Sequence, residues 1–152
     1  MKLAEALVLR ADLKQRVDLL RGRLQSSALI QEGDAPPEDP QALLAELELL
    51  LEQLGSLIVG INRTNMQTAL AAGLTLTEAL ARRDILDMRL GVLRTVAETA
   101  AQRVDRYGRS EIRRVATVDV GELRRAADGL ARQRRELDTA IQATNWSAEL
   151  IE

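Results

Sequence analysis

Two kinds of side-chain grouping in this chain could do chemistry. Glu48 and Glu52 are four residues apart and Asp84 and Asp87 three apart, so each pair projects from one helical face. Carboxylates spaced in this way can hold Mg2+ on a helical bundle, which is the chemistry of a carboxylate-metal nucleotide hydrolase. The second grouping is a phrase written twice, INRTNMQTAL at 61–70 and IQATNWSAEL at 141–150. Each copy brings a Thr-Asn pair, Thr64 with Asn65 and Thr144 with Asn145, followed closely by Met66 or Trp146. Glu5, Arg10, Glu78 and Arg83 occupy matching places in two further similar segments. If each hairpin runs out and back, Thr64 and Asn65 meet Glu78 and Arg83, and Thr144, Asn145 and Trp146 meet Glu5 and Arg10. Two such polar corners could bind an anion or a small ligand; alternatively they terminate helices and satisfy exposed amides, with Met66 and Trp146 closing the apolar end of the core.

Composition narrows the chemistry. The 152 residues include no Cys and no His, which removes thiolate catalysis, disulfides and the commonest metal ligand. No catalytic residue, metal ligand set or cofactor is therefore assigned, and the carboxylate pairs are taken as solvated faces. The length is that of one domain, here 1–152 with an internal repeat at about 1–72 and 73–152. Phe is absent and Trp146 and Tyr107 are the only aromatics, so the core must be built from Leu, Ile, Val and Ala. The opening MKLAEALVLRADLKQRV is charged in every turn, unlike a signal peptide, and no apolar run approaches the ~18 residues of a spanning helix. The expected compartment is the cytoplasm.

The elements that must position these groups follow from periodicity. Leu3, Ala6, Leu7, Leu13, Val17, Leu20 and Leu24 mark a first helix ending near Ser26. GDAPPEDP interrupts it, and Asp39 before Pro40 signals the start of a second. That helix carries a heptad seam, Leu43, Leu47, Leu50, Leu54, Leu57 and Ile61, with Leu44, Leu51 and Ile58 as a third row beside it. A face this wide can bury against two partners. Gly73 is placed to stop or link helices, Thr75 with Glu78 has capping-box spacing, and a third helix runs from Leu76 toward Gly108. Asp119 with Glu122 repeats the start signal before a fourth.

The helices superimpose in pairs. Residues 3–21 align on 76–94 with a shift of 73, matching Glu5/Glu78, Arg10/Arg83 and Leu13/Leu86; the second helix aligns on the fourth with a shift of 80, matching Leu50/Leu130, Thr64/Thr144 and Asn65/Asn145. The predicted fold is therefore mainly all-α, four long helices forming two duplicated hairpins. Arg10 and Arg83 each replace an apolar residue on a heptad seam, where a paired polar group sets register or partner choice. Between the helices of each pair, SALIQE at 27–32 and SEIRRVATVD at 110–119 lose the helical period, and two short strands are expected, paired with each other as a β-ribbon or with a second subunit, the alternative being two irregular loops.

Charge is unevenly spread. From Glu32 to Glu52 there are seven acids and no Lys or Arg, whereas from Arg103 to Arg135 there are ten Arg against five acids. The acidic segment can lie against the basic one in the other half or in a neighbouring subunit. Without aromatic interleaving, the Arg-rich segment does not read as a nucleic-acid surface.

K-L-x-E-A-L-x-x-R at the start, I-N-R-T-N, T-L-T-E-A-L-A-R-R-D, Y-x-R-S-E-I-R-x-V-x-T-V-D-V at 107–120 and the final T-N-W together resemble the septicolysin-like family of small bacterial helical proteins. The resemblance implies the helical fold and a bacterial origin, and the family name implies a cytolysin. The function expected is a non-enzymatic protein that self-associates as a homo-oligomer through its wide Leu face, its Arg-rich segment and its strand ribbon, without membrane contact. The alternatives are a membrane-active cytolysin inserting ALAAGLTLTEALA and the carboxylate-metal hydrolase.

Overall fold

A computed structural model of the chain describes residues 1–102 and 114–151. Four helices appear in order: α1 (Leu3–Ser27), α2 (Pro40–Gln67), α3 (Leu76–Ala101) and α4 (Val120–Ser147). Their boundaries reproduce the repeat. α3 begins 73 residues after α1, and α4 begins and ends 80 residues after α2. The start signals are used in matching ways. Asp39 Oδ1 accepts from the Gln41 amide at 3.0 Å, and its counterpart Asp119 Oδ1 accepts from the Glu122 amide at 2.9 Å. Pro40 opens α2, where a missing amide costs nothing.

The chain divides into two compact units, one formed by Met1–Ala69 with Gln142–Glu152 and the other by Leu70–Ile141. In the first, α1 packs along α2. Their buried rows advance by seven residues: Ala6, Leu13, Leu20 and Ser27 on α1, Leu43, Leu50, Leu57 and Thr64 on α2. A seven-residue row is the seam of under-wound helices packing knobs into holes, so Leu and Ala suffice for the core. The first unit thus ends its seams in polar groups, and the Ser27 hydroxyl is buried without a partner.

The second unit pairs α3 with the first part of α4. Leu76, Ala79, Leu86, Leu90 and Ala97 are buried on α3, with Ala127 and Ile141 on α4. Two ion pairs join the helices, Arg134 Nε to Asp87 Oδ1 at 3.0 Å and Arg83 Nη1 to Asp138 Oδ1 at 3.5 Å. Gly73 takes φ +83°, a left-handed conformation suited to glycine, and its amide donates to the Leu70 carbonyl at 2.8 Å before α3 begins.

The expected β-ribbon is absent: no strand occurs among the described residues. Ser27 completes α1, and the residues after it run as turn and coil with Leu29 89% exposed, so no neighbouring strand covers that edge. Without one, a short extended segment keeps its amides in water. Of the second segment, 110–113 lie outside the described residues, and 114–119 are not extended into a strand, with Val115 69% exposed. Gly108, expected to close the third helix, also lies outside them; α3 ends at Ala101.

Candidate functional site

The repeated Thr-Asn phrase ends α2 and α4, and the structure gives its residues unequal roles. Thr64 sits on the heptad row of α2 and is fully buried. Its hydroxyl donates to the Gly60 carbonyl at 2.8 Å and accepts the Ile151 amide at 2.9 Å, so both capacities are spent on the chain itself. Gly60 permits this approach, because a Cβ there would stand 3.1 Å from the Ile151 carbonyl oxygen. Asn145 is buried one helical turn after Ile141, while Asn65 and Thr144 are half-buried. Met66 and Trp146 do not close the core. They are 60% and 62% exposed, because each lies about 200° around the helix from the inward-facing Thr two positions earlier.

Residues 148–151 form a latch in the first unit that the sequence reading did not anticipate. The Leu3 amide donates to the Ala148 carbonyl at 2.9 Å and the Leu150 amide to the Met1 carbonyl at 2.8 Å, an antiparallel bridge centred on Lys2 and Glu149. Lys2 Nζ lies 2.6 Å from Glu149 Oε1, and the Met1 ammonium 3.3 Å from Oε2. These contacts hold the Glu149 carboxyl below the usual carboxylate range, chiefly through the Lys2 hydrogen bond and then through the ammonium.

Glu5 and Glu78 cap their own helices. Glu5 Oε2 accepts from the Lys2 amide at 2.7 Å and Glu78 Oε2 from the Thr75 amide at 2.8 Å, with the Glu78 amide returned to Thr75 Oγ1 at 3.2 Å. The Thr75 amide and hydroxyl hold the Glu78 carboxyl low. Arg83, 27% exposed, is drawn to Asp138 and Asp84 within its own unit. Arg10 is half-buried, and the repeat places Ile58 where α4 has Asp138, so the Arg83 pairing is not duplicated. Thr144, Asn145, Glu5 and Arg10 do fall in one unit; Thr64 and Asn65 fall in the first and Glu78 and Arg83 in the second. The acidic pairs diverge in use. Asp87 and Asp84 bind Arg134 and Arg83, and no group of three or more metal-ligating side chains occurs among the described residues.

A concave surface lies elsewhere, in the second unit. A cleft of about 600 Å³ runs between α3 and α4, lined by Ile85, Met88, Val92 and Leu93 on one side and Ala126, Gly129 and Leu130 on the other. Ile85, Met88 and Val92 are 48%, 66% and 62% exposed, so this apolar stripe is open to solvent. An adjoining polar recess of about 380 Å³ shares Ile85, Arg89 and Gln133 with it and adds Arg82. The three-and-four spacing of Ile85, Met88, Val92 and Val96 was visible in the sequence as a second apolar stripe on α3, beside the core row.

Comparison with known proteins places the chain. Residues 10–150 match a family described as "Family of unknown function (DUF6847)". The chain belongs to this family. A crystal structure of a functionally unknown conserved protein from Corynebacterium diphtheriae is 43% identical, covers 99% of both chains and superimposes with a TM-score of 0.92. No curated protein matches. The septicolysin-like resemblance is corrected by these findings: the matching family is described only as one of unknown function and the Corynebacterium relative as a functionally unknown conserved protein, so neither is a lysin family. Among the described residues, no helix is long and apolar enough to cross a membrane.

Proposed function

We propose that this DUF6847 protein is a non-enzymatic helical interaction module whose first partner is another copy of itself. The observation that carries the reading is apolar surface beyond what either hairpin needs for its own core. Leu44 and Leu51, of the third row of α2, are 43% and 41% exposed, and Ile85, Met88 and Val92 on α3 are more exposed still. Contiguous apolar faces rimmed by charge mark association surfaces, whereas scattered apolar residues do not. The polar corners support the same reading, since their Thr, Glu and Arg groups bind the chain's own backbone and carboxylates. The working compartment is the cytoplasm, which suits a fold held without disulfides.

Light scattering over a range of concentrations tests the proposal. A discrete mass above that of one chain is expected; a monomer at every concentration contradicts it.

A further inference from the structure

The two hairpins are repeats, yet their outer faces differ in a complementary way. Where α3 exposes Ile85, Met88, Val92 and Val96, α1 has Asp12, Gln15, Leu19 and Arg23, and where α4 has Ala126 and Gly129, α2 has Glu46 and Leu49. The first hairpin folds with polar residues at most of these places, so the cleft of the second is not required by the hairpin. The converse holds for the ridge on α2. Leu44, Leu51 and Ile58 correspond to Arg124, Ala131 and Asp138 on α4. One hairpin carries a surplus ridge and the other a surplus groove.

Charge separates them in the same sense. The first unit has seven basic and twelve acidic side chains, a net −5, and the second has fourteen and eleven, a net +3. Locally, Glu48 and Glu52 flank the ridge, while Arg82 and Arg89 line the polar end of the groove. The ridge is about one helical turn longer than the groove stripe, so the groove covers only part of it. Leu44 to Ile58 spans about 21 Å and Ile85 to Val96 about 16 Å at the helical rise.

Resting on the self-association reading, we infer that the α2 ridge of one copy docks in the α3–α4 groove of a second copy, with Glu48 and Glu52 against Arg82 and Arg89. Leu51, Ile58 and Val59 then enter the apolar cleft, with α2 running parallel to the α3 it covers. The smallness of Ala126 and Gly129 admits the incoming helix; Gly129 has no atom within 4 Å of where a Cβ would stand. Groove-to-groove pairing would instead bring two Arg-lined rims together, and like charges across an interface are costly. A ridge-to-groove contact is heterologous, so it closes only in a ring or in a two-fold dimer that makes it twice.

The test is a charge-reversal cycle read by sedimentation and light scattering on the full chain. Glu48→Arg with Glu52→Arg, and Arg82→Glu with Arg89→Glu, should each weaken assembly by about tenfold or more. Mixing the two variants should restore association, because the reversed ridge of one fits the reversed groove of the other. Unchanged helical circular dichroism in each variant establishes that folding is retained. An oligomer that survives both reversals, or that responds to the groove reversal alone, overturns this docking while leaving self-association standing. A monomeric native protein overturns both.

Discussion

At the scale of single residues, Thr64 is the group on which the latch of the first unit depends. It is buried and joins Gly60 to Ile151 through one hydroxyl. Thr64→Val keeps the shape and removes the acceptor, leaving the Ile151 amide poorly satisfied; the expected loss is about 1–3 kcal/mol by denaturant unfolding, with Thr64→Ser close to native. Glu149 adds a pH dependence. Its carboxyl is held low in the folded protein by Lys2 and the Met1 ammonium, so its contribution is present above the ordinary carboxylate value and is lost as pH falls through the lowered one. Amide exchange at Leu3 and Leu150 should therefore accelerate in that acidic window after correction for intrinsic rates, and Glu149→Gln should flatten the dependence. An unchanged acid response in Glu149→Gln would assign the latch to its backbone bonds alone.

At the scale of helices, burial follows the seven-residue row rather than hydrophobicity alone. Leu50 is 5% exposed and its neighbour Leu51 41%. Leu50→Ala should cost about 2–5 kcal/mol, whereas Leu51→Ala should leave hairpin stability within about 1 kcal/mol, both read from urea midpoints at low protein concentration. Thr75→Ala, which removes the α3 cap, should cost about 1 kcal/mol in thermal unfolding. These elements were legible because their signals are local: Asp39-Pro40, Thr75 with Glu78, Asp119 with Glu122 and the Leu rows each act within one or two turns. The expected strands were misread from the sequence, since the β-branched pattern of IRRVATV states a preference that holds only beside a partner strand. The latch escaped for the opposite reason. Ala148 to Ile151 has no pattern of its own and is defined by Met1 to Leu3 and Thr64, far away in the chain.

At the scale of the whole molecule, duplication followed by divergence is the organising fact. The caps, seams and helix lengths of the two hairpins correspond, while the outer faces have separated into an acidic ridge and a basic-rimmed groove. Arg83 illustrates the distinction. Its seam position suggested a contact that sets register between subunits, but its guanidinium is paired with Asp138 inside its own hairpin. Arg83→Leu is accordingly expected to leave the solution mass unchanged, and a change of mass on that substitution would return Arg83 to the subunit interface. The central claim, that the protein associates with itself, is tested most directly by sedimentation equilibrium of the native chain. A mass of two or more whole chains of 16.8 kDa, constant across rotor speeds, is the predicted result; a mass of one chain at all loading concentrations would contradict it.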